Sequence, residues 1–132
     1  MPFLLRHAAF LAILSAATAC DAAHEQADLG YNLVILQDPA HDELSLNYRI
    51  SAGGYLTIKT GLIRCAWATP AYVLLQNFSV INSHSSFVYY LLPVAKANPQ
   101  DVQDALIGPL GKDSVAFYLG RNQLHGAKRY CF

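Results

Sequence analysis

Apolar and polar residues alternate along much of this chain, and the alternation predicts a protein built mainly of β-strands. Leu44, Leu46, Tyr48 and Ile50 alternate with Ser45, Asn47, Arg49 and Ser51, the period-two pattern of a strand with one face buried and one wet. Tyr31, Leu33 and Ile35 alternate with Asn32 and Val34, which predicts another strand, and Asp38-Pro39 marks the intervening turn. Residues 51–54 end in Gly53-Gly54 and predict a tight reversal, because glycine supplies the positive φ such a turn needs. On the returning strand Leu56 and Ile58 lie on one side, with Thr57 and Lys59 opposite. Beyond Gly61 the inward set becomes Ile63, Cys65 and Trp67, so Gly61 predicts a β-bulge that swaps the faces. That places Cys65 in the core beside Trp67.

Two strongly apolar strands follow, at residues 72–81 and 87–94, with Asn82-Ser83-His84-Ser85 as the hairpin loop. Phe87, Tyr89 and Leu91 fall on one face and Val88, Tyr90 and Leu92 on the other. A strand that is apolar on both faces must be covered twice or leave one face for a partner. The pattern then changes to helical spacing. Asn98 suits an N-cap and Pro99 the first helical position, while Val102, Ala105 and Leu106 form an apolar stripe. Gly108-Pro109 ends this helix of about ten residues, which must dock to be stable. The two-faced strands are its expected seat. Residues 115–119 read as a last strand after the turn Gly111-Lys112-Asp113. The expected fold is α+β and mainly antiparallel, with about six strands and one helix before the last strand, as a small sandwich or a partly closed barrel.

The N-terminus departs from this pattern. Arg6 supplies a positive charge, residues 8–17 are apolar except for Ser15, and Ala17-Thr18-Ala19 precedes Cys20. This is the layout of a secretory signal peptide, with an apolar core too short to span a bilayer. The run Ala17-Thr18-Ala19-Cys20 resembles a bacterial lipobox, which implies acylation of Cys20 and anchoring to a membrane. Ordinary cleavage after Ala19, giving a secreted protein, is the other outcome. The domain expectation is a signal peptide at 1–19, a polar tether at 20–29 and one β-rich domain at 30–132. The chain has three cysteines, and an odd number is awkward in an oxidising compartment. If Cys20 carries lipid, Cys65 and Cys131 remain, and a disulfide between them is expected.

Charge is sparse and segregated. Asp21, Glu25, Asp28, Asp38, Asp42 and Glu43 precede Arg49 with no Lys or Arg among them, whereas bases predominate from Arg49 onward. The two halves are expected to pair within one fold. A sharper reading is a basic face of Lys112, Arg121, Lys128 and Arg129 suited to an anionic partner. Nucleic acid is a poor fit to few basic residues and a balanced total.

No catalytic set emerges. His24, His41, His84 and His125 lack the spacing of paired metal ligands, and His41-Asp42-Glu43 reads as a solvated turn. His125 lies near Cys131, but a disulfide is the simpler fate of that thiol in an exported chain. Ser83, Ser85 and Ser86 flank His84 without a nucleophile-elbow pattern. Asn77-Phe78-Ser79 matches a glycosylation sequon inside an apolar strand. Neither a metal nor a cofactor is expected. Surplus tyrosines remain, and Tyr89-Tyr90, with Lys128 and Arg129, are the binding candidates. The functional expectation is an exported, non-enzymatic protein of the cell envelope, either periplasmic, membrane-anchored through Cys20, or secreted. Its partner would be another envelope or secreted protein, in the manner of an inhibitor, an immunity-type protein or an assembly accessory. The alternative is a binder of a small apolar or lipid-like ligand under the helix.

Overall fold

The structure, a computed structural model, describes residues 24–38, 40, 42–120, 124 and 126–132. The expected signal peptide, Cys20 and the start of the tether lie outside the described residues, as do His41, Arg121 and His125. The first sheet is an antiparallel meander of β1 (His24–Gly30), β2 (Leu33–Gln37), β3 (Leu44–Arg49) and β4 (Tyr55–Gly61) in that spatial order. The second contains β5 (Ile63–Ala68), β6 (Tyr72–Ile81), β7 (His84–Pro93), β8 (Ile107–Leu110) and β9 (Lys128–Cys131), in the order β8-β7-β6-β5-β9. One helix, α1 (Lys112–Leu119), precedes β9. The fold is therefore mainly antiparallel β with one helix before the last strand, and the sheets do not close into a barrel.

Two cores hold these layers together. Leu33 and Ile35 of β2 and Leu44, Leu46 and Tyr48 of β3 pack with Ile63, Ala66, Val73, Leu75 and Leu92 of the second sheet. On the opposite face of that sheet Leu74 and Leu91 meet Val115 and Leu119 of α1. Strands β6 and β7 thus alternate between a sheet neighbour and a helix neighbour. That is why their sequences are apolar at consecutive positions. Tyr90 packs on the core between the sheets and Tyr89 on the core beneath α1.

The helix is displaced from its expected position. Asn98 does cap a turn, its Oδ1 accepting the N–H of Gln100 at 3.1 Å and of Asp101 at 3.0 Å. Two overlapping turns follow in place of a helix, closed by Val102 N–H to Asn98 O at 3.0 Å and by Asp104 N–H to Asp101 O at 3.1 Å. Val102 is buried against the core between the sheets, with Ala105 and Leu106 packed around it, and Gln103 Nε2 reaches Thr57 O on β4. The stripe therefore plugs the β4 side of the sandwich, and docking three residues there wins over extending a helix that costs much to nucleate. Gly108, expected to stop the helix, lies in β8. A Cβ at this position would sit 2.6 Å from the Tyr90 ring and 2.8 Å from Tyr89 O, so only glycine lets β8 approach β7 there.

Residues 115–119, expected as a strand, belong to α1. Val115 and Leu119 are spaced by four and bury one face, Asp113 occupies the first turn, where the helix dipole favours an anion, and Gly120 closes the end at φ 67°. The tether reading fails from His24 onward, because β1 buries Ala27 and Leu29 at alternate positions. Its polar residues are those of an exposed edge strand, a common defence against edge-to-edge pairing. The face swap near Gly61 also differs. Gly61 ends β4, the chain crosses to the second sheet, and the register shift falls between Ile63 and Cys65. In consequence Ile63 and Ala66 face the first sheet, whereas Trp67 packs toward α1.

Candidate functional site

The β6–β7 ribbon runs in unbroken register from Tyr72↔Pro93 to Ile81↔His84. Its neighbours stop short: β5 pairs with β6 only as far as Asn77, and β8 with β7 only as far as Tyr89. Residues 78–81 and 84–87 therefore project as a two-stranded ribbon, anchored at its base by Phe78 N–H to Leu62 O at 2.9 Å. Asn82 and Ser83, at φ 51° and 65°, make the two-residue reversal at its tip. An isolated pair of strands is marginal in water. Here Phe78 and Phe87 stack edge-to-face with centroids 5.9 Å apart, and the Arg64 guanidinium lies over the Phe78 ring at 5.7 Å. Phe87 is 49 % exposed and Val80 63 % exposed on the same face of the ribbon.

That face continues across β5 to the edge strand β9. Cys65 and Cys131 stand directly opposite each other in the β5–β9 ladder and are joined, with S–S 2.09 Å. Arg129, opposite Trp67 in the ladder, lies over the indole at 5.6 Å. Its Nε–H donates to Cys131 Sγ at 3.1 Å and its Nη2 lies 3.9 Å from Cys65 Sγ. The disulfide residues thus neighbour two arginines, Arg64 in sequence and Arg129 in space, each with its guanidinium in cation–π range of an aromatic ring. Neither Arg64 nor Arg129 pairs with a carboxylate among the described residues. Both also border a cleft of about 760 Å³ between the sheet edges, with Gln26, Gln37 and Asp42 on its other wall.

The outer face of the first sheet carries a different network, one that pairs within itself. Arg49 Nη2 meets Glu25 Oε1 at 2.7 Å, Arg49 Nη1 lies 3.7 Å from Asp28 Oδ2, and the Tyr55 hydroxyl donates to Glu25 Oε1 at 2.9 Å. The sequence missed Glu25 and Asp28 because both were assigned to a tether. Their signal was the acidic run placed before the first base. Beneath them Asn47 is buried and satisfied, bonding Ser45 through Nδ2 and accepting from Thr57 at 2.9 Å.

The hydrogen bond from Arg49, followed by that from Tyr55, holds the Glu25 carboxyl below the ordinary glutamate range. The hydrogen bond to Glu25 raises the Tyr55 phenol. Because the folded value for Glu25 is depressed, its contribution is complete above the unfolded glutamate pKa. It is lost as pH falls from there through the lowered folded value. The network is solvent-exposed, so the effect is modest and salt-sensitive. In low salt, E25Q should melt below wild type at neutral pH, and the two melting curves should converge on the acid side of the ordinary glutamate range. A constant difference down to strong acid would contradict this origin.

The other sequence candidates are dispersed. Tyr89 and Tyr90 lie on opposite faces of β7. The Tyr89 hydroxyl accepts from Gln76 Nε2 at 3.1 Å, and Lys59 Nζ lies 4.6 Å over the Tyr90 ring. Lys128 is on β9 with Nζ 5.3 Å over Tyr130. Of the four named binding candidates, Arg129 and Tyr89 stand on the face that continues into the ribbon, Tyr89 two residues along β7 from Phe87 but packed against the core beneath α1. Arg64, Phe78, Val80 and Phe87 were not identified as site residues from sequence. Alternation showed that β7 had a second apolar face but not how far its neighbours would extend.

His84 is exposed at the start of β7, and Asn77 of the sequon is buried, 5 % exposed. Beneath α1 the space is filled by Leu74, Leu91, Val115 and Leu119, with Trp67 and Tyr72 packed against them. Among the described residues no group of three or more His, Cys, Asp or Glu side chains could hold a metal ion. No helix among them is long and apolar enough to cross a membrane. The chain matches no protein-family model, no curated protein and no solved structure.

Proposed function

We propose that this chain is an exported, non-enzymatic binding protein of the cell envelope, and that the projecting β6–β7 ribbon is the surface its protein partner covers. The observation that carries the reading is the ribbon itself, with Phe87 and Val80 held in water beyond the last pairs of β5 and β8. Rigid aromatic groups on a preformed strand pair make good anchors, because little conformational entropy is lost on binding. The charged leader, its apolar core and the Ala17-Thr18-Ala19-Cys20 run support export. The partner is then another envelope or secreted protein, and a lipid on Cys20 would hold the complex at a membrane. The close packing beneath α1 supports this reading over a small apolar ligand bound there.

Cross-linking and capture from envelope extracts tests it. Wild type should recover a specific protein, the paired change V80S and F87S should reduce recovery about tenfold or more, and K96Q, remote from the ribbon, should leave it unchanged. Equal recovery by the ribbon variant, or no specific protein at all, would refute the proposal. Mass spectrometry of the mature protein decides its anchoring. An acylated Cys20 defines the membrane-bound form, a free α-amino Cys20 the secreted form, and a retained Met1 would end the export reading.

A further inference from the structure

We propose that Arg64 and Arg129 form a two-guanidinium clamp for the carboxylates of an acidic segment in the protein partner, a segment whose apolar side chains lie on the adjoining ribbon. This rests on the protein-binding reading above and names the chemistry of what is bound. A guanidinium at a protein surface ordinarily finds a carboxylate on its own chain or points freely into water. These two do neither. The Arg64 guanidinium lies 5.7 Å from the centre of the Phe78 ring and that of Arg129 5.6 Å from the centre of the Trp67 ring, and Arg129 is further held by its contacts with Cys131 and Cys65. A guanidinium in cation–π range of a ring still has N–H donors to offer a carboxylate in a bidentate pair. Contacts that restrict the side chain beforehand remove part of the ordering cost of binding.

Arg49 is held differently. The acids of β1 neutralise Arg49 across the first sheet, but no described carboxylate pairs with Arg64 or Arg129. Asp42 borders the same cleft, and the two arginines outnumber it. Arg64 stands both at the ribbon base and beside the disulfide, so the positive and apolar surfaces are continuous. The complementary surface is therefore anionic with apolar residues interspersed. An acidic peptide offers both, because its planar carboxylates suit the guanidinium fork and its neighbouring side chains suit Phe87 and Val80.

The test follows the side-chain Nε–H resonances of Arg64 and Arg129 by NMR. The probes are the peptide acetyl-Glu-Leu-Glu-Gly-Glu-amide, its glutamine counterpart, inorganic phosphate, and phosphatidylglycerol vesicles. The glutamate peptide should shift both resonances. Its affinity should fall about tenfold in R64Q and in R129Q, the loss of one charge-assisted pair. R64K should be intermediate, and K96Q, remote from the clamp, should match wild type. Unchanged melting temperatures would show that the variants remain folded. Equal binding of the glutamine peptide, no shift at either arginine, or binding unaffected by both glutamine variants would overturn the clamp. Tighter binding of phosphate or of the vesicles would overturn the carboxylate assignment. If partner capture depends on Val80 and Phe87 but not on the arginines, the clamp fails and the binding function stands. If the peptide binds but no partner is captured, the binding function fails and the clamp stands.

Discussion

Replacing Cys65 and Cys131 together with alanine should lower folding stability by about 4 kcal/mol, the chain-entropy value for a loop of this size. The bond closes a sequence separation of 66 residues, joining the start of the second sheet to its last strand. Among the described residues β9 is otherwise tied to that sheet by its four-residue ladder with β5, by Phe132 N–H to Arg64 O at 2.9 Å and by the contact of Arg129 with Trp67. Small domains have net stabilities of about 5–15 kcal/mol, so the loss is a large fraction of the total. A shift in melting temperature of more than about 10 °C should accompany it. Urea denaturation of the oxidised protein, the reduced protein and the double alanine variant checks the prediction. The oxidised form should unfold at the highest urea concentration and the other two should nearly coincide. Amides of β9 should exchange fastest in the reduced form, because their ladder has no second neighbour. A midpoint that ignores both reduction and substitution would show that packing alone holds β9.

The bond has a second consequence. The Arg129 side chain is seated on both sulfurs and on Trp67. Opening the disulfide should free β9 and let the guanidinium leave the indole, so acidic-peptide binding should weaken along with stability. The staple and the proposed clamp are one piece of structure, with the covalent link fixing where the second charge stands.

How far the fold could be read from the sequence depended on how local its cause was. Leu44, Leu46 and Tyr48 announced β3 because they line its dry inner face and period two records that directly, but the other face is not simply wet, since Asn47 there is 2 % exposed. The consecutive apolar residues of β6 and β7 announced two covers, and two covers exist. Which segment supplied the outer one was not legible. Residues 98–106 have the better cap and the clearer stripe, but Val102 is drawn into the core between the sheets. The shorter α1, with β-branched and aromatic residues that suggest a strand, becomes helical because Leu74 and Leu91 offer a seat for Val115 and Leu119. Local propensity spans less than about 1 kcal/mol per residue, and burying one leucine exceeds it. The site was hidden for a related reason. Arg64 is an ordinary polar residue of an alternating strand until the register shift beside it is known, and Phe87 is core or surface only according to where β8 ends.

The division into two cores leads to the other large effect. Leu74 and Leu75 are neighbours on β6, both almost fully buried, and they face different layers. Leu75→Ala should cost about 3–4 kcal/mol, within the range for deleting a leucine from a packed core. It opens a cavity among Leu46, Val73 and Leu92, between sheets that cannot separate without unfolding. Leu74→Ala removes the same atoms from beneath a helix of eight residues that buries only Val115 and Leu119. That helix can lift away and hydrate the gap, so the global loss should be smaller and the damage local. Native-state hydrogen exchange separates the cases. In Leu75→Ala, protection should fall throughout both sheets by the amount the urea midpoint reports. In Leu74→Ala, the amides of α1 should approach free exchange while β2, β3 and the inner part of β6 stay protected. Uniform loss in both variants would mean that the helix and the sandwich form one cooperative unit. A selective loss would make the helix a cover laid over the second face of the sheet, whose release would expose more of the apolar surface that the ribbon already presents.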